Sequence, residues 1–356
     1  MDYSEACSYP DLKGGSKDCT RVTPVQNSCM VKVQRLSRKG VGLKGARSAQ
    51  AGNFQHDIVC SPWRRGEAYR NRVRRNIRQN IPIRSSTGKE IRRAFIADPK
   101  RGTVLIGGDY SSLEMRLMTH FSQDEGMTIA INNGLDAHCA TAADMYPDVE
   151  YDAIYAAKQR SDNEEDPEPD DKMLLNRRRG AKTIGFGLIY GQGPYALAES
   201  LGIDVREARL LIKRFFNARP GFEQFIKETH AAVKRDLYVR TLFGRKRRLY
   251  KIKSTNRAEA AQALRQAVNS IIQGSAAEIA KLAMIRCAQD QRLINMGCRL
   301  LLQVHDELIF ELEDSDKLVA EAKPIIKHHM ENVLEEPLAV PLTVDLHHGH
   351  SWVDVH

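Results

Sequence analysis

The chain has 356 residues, 42% of them apolar and 28% charged. That composition excludes collagen-like, mucin-like and wholly disordered chains, and leaves room for two or three domains or one large core with an insertion. With 54 basic and 45 acidic residues the net charge is +9. The block from Arg64 to Arg101, with 13 basic and 3 acidic residues, carries that whole excess. Such a block suits a nucleic-acid partner or a solvated charged surface.

No apolar run approaches the roughly 18–20 residues that cross a bilayer. The opening MDYSEACSYPDLKGG has no basic stretch followed by an apolar one, so neither a membrane span nor a secretory leader is expected. Of the seven cysteines, Cys7, Cys19, Cys29 and Cys60 fall in the first 60 residues at spacings that match no zinc pattern. Reduced thiols and a cytoplasmic location, in a bacterium or a phage-infected host, are the expectation.

Residues 1 to about 70 are rich in Ser, Gly and Arg and show no sustained periodicity, so they read as a flexible arm or a small, poorly marked domain. TVLIGG at 103–108 is a short apolar run suited to a buried strand, and Leu113, Leu117 and Phe121 form the stripe of a helix after it. SDNEEDPEPDD at 161–171 has seven acidic residues and two prolines, which predicts a surface loop or disordered insertion. Helices are expected from Arg177 to Gly191, from Val205 to Phe216, and over 256–291. CRLLLQV and LIFEL then read as two strands around a polar turn, His305-Asp306-Glu307. The histidines at 347, 348, 350 and 356 have a spacing compatible with metal capture, but a solvated tail is the expectation.

Two constellations carry chemistry. Asp109 and Asp306 are far apart in sequence, yet each stands at the end of a predicted core strand. Neighbouring strands would bring both carboxylates to one rim, a site suited to hard divalent cations such as Mg²⁺. Separately, Asp109 reads equally as a helix N-cap and Asp306 as a turn former. The second constellation is Arg178, Lys182, Phe186 and Tyr190, spaced four apart. On a helix they form one stripe with two cations followed by two rings, the layout of a nucleoside triphosphate. The alternative is an amphipathic helix whose rings belong to the core. His305, in the turn, reads as a positioning group rather than a metal ligand or base.

These residues carry a resemblance. DYSSLEMR (109–116), RRGAKTIGFGLIYG (178–191) and QVHDELIFE (303–311) resemble motifs A, B and C of family A DNA polymerases, in family order. QNIPIRSSTGKEIRRAF, DAHCATA, RTLFGRKRRLY, RQAVNSIIQGSAAEIAKLAM and the closing HSWVDVH resemble the flanking segments, so the likeness runs from about residue 72 to the end. It implies an α+β right-hand polymerase fold, an antiparallel palm sheet backed by helices, with helical fingers. The expected organisation is an unassigned segment 1–71, palm at 72–122 and 270–356, and fingers at 123–269 carrying the acidic insertion. Neither a thumb nor an exonuclease domain is recognised before the match, so proofreading is not expected, and a second polypeptide is one possible source of those parts.

By the same resemblance, Asp109 and Asp306 would bind two Mg²⁺ ions, with the Tyr110 backbone beside them and Glu307 in a secondary catalytic role. Glu114 would crowd a ribose 2′-OH. Arg178 and Lys182 would grip the triphosphate, with His138 near the phosphates. Phe186 and Tyr190 would line the sugar, base and template side. Arg265, Asn269 and Gln273, one helix face by their spacing, would lie against the primer-template together with His305 and, by its distance before Gln79, Arg70. The implied reaction is attack of a primer 3′-OH on the α-phosphate of a dNTP. A DNA-binding fragment that is silent or dependent on a partner is the rival, and a single-subunit RNA polymerase a second one. Gly185 departs from the family's usual Asn, and glycine costs a helix about 1 kcal/mol relative to alanine.

Overall fold

A computed structural model describes residues 86–163 and 165–355. Arg70, the four N-terminal cysteines and most of the basic block lie outside the described residues. The architecture is α+β. A four-stranded antiparallel sheet has β1 (Thr103–Tyr110) flanked by β5 (Glu307–Glu313) and β6 (Val344–Gly349), with β4 (Arg299–Val304) beyond β5. The first helix among the described residues, α1 (Ser86–Arg93), precedes the sheet, and α2 (Leu113–Ser122) leaves the end of β1. Then come α3 (Glu125–Asn132), α4 (Ala137–Met145), α5 (Tyr151–Asp162) and α6 (Asp171–Ile189). The run continues through α7 (Pro194–Leu201), α8 (Val205–Ala218) and α9 (Pro220–Asp236). A hairpin of β2 (Tyr238–Arg240) and β3 (Lys246–Arg248) leads to α10 (Arg257–Gln289). The short α11 (Gln291–Asn295) precedes β4, and α12 (Asp316–Glu331) joins β5 to β6.

The period-two alternation of β1 sorts its side chains to two sides. Val104, Ile106 and Tyr110, with Leu308 and Phe310 of β5, enter the main core beneath α10 and α12. Leu105 and Ile309 face a smaller cluster with Ala97, Trp352 and Val355. Gly107 belongs to this second face because nothing larger fits: a Cβ there would stand 2.3 Å from the Val355 carbonyl oxygen. The C-terminal segment therefore packs directly on the sheet.

Several expectations change. Asp109 is a strand residue, not a helix cap; the residue before α2 is Ser112, at φ 54°. The polar turn is two residues long, and Glu307 opens β5. The predicted acidic loop is helical at both ends: Ser161 and Asp162 finish α5, and Asp171 starts α6, six residues before the expected helix start. Asp171 is buried because Arg160 grips it through two hydrogen bonds, 2.9 Å and 2.5 Å. His347 and His348 form part of β6 rather than a tail, with His348 Nδ1 2.9 Å from Lys323 Nζ. The helix expected over 256–291 is present as α10, Arg257–Gln289.

Replacing Gly107 with Ala should lower stability by about 1–3 kcal/mol, the usual range for forcing a methyl into a packed site. Urea unfolding of the variant checks this, and an unchanged midpoint would mean that the C-terminal segment does not press on β1.

Candidate active site

Pairing of β1 with β5 sets Asp109 opposite Glu307. The next pair closes through the turn, where the Tyr110 N–H donates to the Asp306 carbonyl oxygen at 3.4 Å. Asp109 and Asp306 thus share one sheet rim, each partly exposed. Asp345 of β6 lies opposite Asp109 on the other side and accepts from the Ser111 hydroxyl at 2.5 Å. Two non-glycine residues beside the pair, Ser112 at φ 54° and His305 at φ 54°, occupy the left-handed region. Strain of that kind concentrates at functional sites. Tyr110 is anchored from below, its hydroxyl donating to the Met330 carbonyl oxygen at 2.8 Å.

Glu307 is buried. It accepts from the Trp352 indole N–H at 3.2 Å and 3.3 Å and pairs with Arg92 at 3.8 Å.

The α6 stripe borders the same space. Arg178, Lys182 and Phe186 are half-buried and Tyr190 is exposed, whereas Ala181, Ile184, Gly185 and Ile189 make the buried side. The rings are therefore not core, which favours the ligand-facing reading of the stripe. Phe186 and Tyr190 stack with centroids 6.3 Å apart, and Lys182 Nζ sits 5.8 Å from the Phe186 ring. Gly185, the departure from the family pattern, faces Met115 and Phe215; a Cβ there would approach Met115 Cε to 3.2 Å. The missing side chain makes room for that packing.

Arg178 is held from within the protein. Its guanidinium donates to Asp136 at 2.7 Å and to Cys139 Sγ at 3.2 Å. Burial pushes the Asp136 carboxyl up, but Arg178 and the Cys139 N–H outweigh it and bring it down to about 2. Asp136 also caps α4 through the His138 and Cys139 N–H groups. The sequence reading missed this residue, although an Asp just before a helical run is a cap signal. His138 is buried with its ring centroid 5.5 Å from Phe186. Burial first, then the Lys182 charge, lowers its pKa to about 4.

One hydrogen-bond chain joins the stripe to Glu114 of α2 and to α10. The Tyr190 hydroxyl donates to Glu114 at 2.6 Å, Gln273 donates to the other Glu114 oxygen at 3.5 Å, and Asn269 donates to Gln273 at 3.2 Å. Burial raises the Glu114 pKa, while the Tyr190 hydrogen bond opposes it and the Asp306 charge adds to it. Arg265 lies one turn before Asn269 on α10. With Tyr190, Gly191, Gln192 and Tyr195 it lines an open cleft of about 330 Å³. Gly191, at φ +73°, is needed there, because a Cβ would meet Arg265 Cγ at 2.4 Å.

Among the described residues no group of three or more His, Cys, Asp or Glu is arranged to hold a metal ion. The Asp109–Asp306 pair still fits Mg²⁺ by donor chemistry. That ion takes oxygen ligands and commonly binds through one or two carboxylates, with water and substrate phosphates completing its shell.

The buried imidazole of His138 makes a pH prediction. Its proton binds near pH 6.5 in an unfolded chain but only near pH 4 in the fold, so acidification through this window costs stability. The cost is roughly 1.4 kcal/mol per full unit of displacement. A His138→Gln variant should lose that part of the slope when urea midpoints are compared across the window. An equal slope in both proteins would count against a neutral buried imidazole.

Comparison with known proteins gives the family. The family model for DNA polymerase family A matches residues 74–354. The chain is 40% identical over 274 residues to DNA polymerase I of Chloroflexus aurantiacus, covering 77% of this chain and 26% of that protein. It is 37% identical over 276 residues to the thermostable DNA polymerase I of Thermus filiformis, covering 78% of this chain and 30% of that protein. The POL domain of Pol1 from M. smegmatis, solved in complex with DNA primer-template and dNTP, superposes with a TM-score of 0.67 at 36% identity, over 78% of this chain and 44% of that one. The chain thus spans between a quarter and a third of the length of these curated relatives, within the part that the family model describes. With the family model matching most of its length, the chain belongs to DNA polymerase family A.

Proposed function

We propose that this chain is a template-directed DNA polymerase that adds dNTPs to a primer 3′-OH and releases pyrophosphate. We assign it DNA synthesis, in the cytoplasm of a bacterium or phage-infected cell. The observation that carries the reading is the Tyr190–Glu114 hydrogen bond. It ties the nucleotide-shaped stripe of α6 to Glu114 of α2, and the Asp306 charge acts on both Glu114 and Tyr190, which supports a shared space for the two constellations. No described helix is long and apolar enough to cross a membrane.

In this reading 72–122 and 270–356 form the palm and 123–269 the fingers. Asp109 and Asp306 would hold two Mg²⁺ ions beside the Tyr110 backbone. Bound there, the metal would supply Lewis-acid stabilisation of the charge that develops on the phosphoryl oxygens. The chain's own residues do the rest. Lys182 presents its charge to the triphosphate, and Arg178, oriented by Asp136, adds a second cation at the same end of the stripe. His138, kept neutral by burial, offers a hydrogen bond without a further charge. Phe186 and Tyr190 give flat surfaces beside the sugar and base. Glu114, held by Tyr190 and Gln273, occupies the space a ribose 2′-OH would need. Arg265, Asn269 and Gln273 present one face of α10 to the primer-template, and His305 borders it from the turn.

Primer extension with purified protein, Mg²⁺ and dNTPs tests the reading. An Asp306→Ala variant should lose roughly a thousandfold or more in rate, since several kcal/mol of transition-state stabilisation go with it. Binding without extension by the unaltered chain would favour a fragment that depends on a second polypeptide. Glu114→Ala should narrow the preference for dNTP over NTP. Use of NTPs by the unaltered chain as readily as dNTPs would favour the RNA polymerase reading instead. Primer-template affinity should fall steeply with salt, because phosphate contacts release counterions; a flat salt dependence would argue against a nucleic-acid interface.

A further inference from the structure

The second face of the sheet holds a buried group of charges that the proposed reaction does not use. The Glu307 carboxylate, 4% exposed, lies in β5 directly after Asp306 and opposite Asp109. A buried carboxylate has to be matched by donors or charge. Both Glu307 oxygens accept from the Trp352 indole N–H, at 3.2 Å and 3.3 Å. The Arg92 guanidinium, 7% exposed, pairs with Glu307 at 3.8 Å and lies 4.2 Å from the centre of the Trp352 ring. Asp109 also attracts Arg92. One buried cation therefore faces the two strand ends that carry the site.

Trp352 is itself fixed by the backbone. Its N–H donates to the Phe95 carbonyl oxygen at 2.8 Å, and the Ala97 N–H donates to the His350 carbonyl oxygen at 2.9 Å. Phe95 meets the Trp352 ring edge-on with centroids 5.5 Å apart. The C-terminal segment is thus tied to the chain just after α1, and both close on Glu307. The residues before Glu307 need such a support. Asp306 sits in a two-residue turn whose other member, His305, is at φ 54°. The last ladder pair before that turn is Val304 with Glu307.

We propose that Arg92 and Trp352 are positioning residues for nucleotidyl transfer: they clamp Glu307 and thereby hold the strand ends bearing Asp109 and Asp306 in place. The inference rests on the polymerase reading above and assigns a role to the C-terminal segment and to Arg92 within it. Neither residue touches the reacting atoms. Their contribution is to keep two like-charged carboxylates at a fixed rim, where small displacements are costly to a site.

The test uses the full chain and the variants Arg92→Met, Arg92→Lys, Trp352→Phe and Glu307→Gln. Trp352→Phe keeps an aromatic ring beside Arg92 and removes the N–H from which Glu307 accepts, along with part of the buried ring volume; as a second route to the same contact it carries the test if Arg92→Met fails to fold. The maximal rate of single-nucleotide incorporation should fall about 10- to 100-fold, with half-saturating dNTP and primer-template Kd unchanged. Arg92→Lys should recover part of the rate by restoring the charge. The Arg92→Met/Glu307→Gln double variant should be no slower than the slower single variant, because the two act through one contact. A folded Trp352→Phe protein with an unaltered rate would overturn the clamp. So would rate losses that multiply in the double variant, or that follow a loss of DNA affinity. If the unaltered chain extends no primer, the polymerase reading itself falls and the clamp with it. If the unaltered chain and all variants extend equally, only the clamp falls.

Discussion

Antiparallel pairing of β1 with β5 is the constraint on which the rest depends. Its ladder runs from Thr103–Glu313 to Asp109–Glu307, joining parts of the chain separated by the entire helical region. Register in a sheet is unforgiving: a slip of one residue would exchange the two faces. Val104 and Ile106 would then leave the main core and Leu105 would enter it. Because both faces of β1 are buried against different partners, the hydrophobic pattern enforces one register. That register brings Asp109 and Asp306 to the same rim. The functional geometry is thus a by-product of where apolar residues must go.

The charges around the site are organised by internal partners rather than left to solvent. Arg178 is oriented by Asp136, which also caps α4; Arg92 is buried against Glu307 and Trp352; Glu114 is held between Tyr190 and Gln273. In each case a long or mobile side chain is tied before any substrate arrives. The entropy of ordering it is spent on folding rather than on binding. His138 shows the opposite device. Burial beside Lys182 keeps its imidazole neutral, so a group close to two cations adds no third charge.

The helices between β1 and β2 show how local and tertiary effects divide. α8 follows its sequence pattern closely, starting at Val205 with Asp204 as a side-chain cap. By contrast, α6 begins six residues earlier than its apolar pattern suggests. Its first turn, Asp171 to Leu174, starts at the last acid of the acidic segment, and the bidentate grip of Arg160 holds that acid buried. Composition identified an acidic surface segment; it had no means of showing that one of those acids is buried by an arginine on the preceding helix. The glycine at 185 is similar. It breaks the helix preference locally, and its compensation is a close approach of Met115 and Phe215 visible only in three dimensions.

The amino-acid sequence by itself determined the strand after residue 102, the long helix after 256, the hairpin around His305 and Asp306, and the four-residue spacing of Arg178, Lys182, Phe186 and Tyr190. It also carried the family likeness. These are short-range properties, written as periodicity and motif within a few residues of each other. Only the tertiary structure decided that Asp109 belongs to a strand and not to a cap, that Glu114 bonds Tyr190, that Asp136 holds Arg178, and that Trp352 and Arg92 close on Glu307. Each of those contacts joins side chains brought together by sheet register or helix packing, and sequence separation carries no information about such distances until the core has chosen which faces to bury.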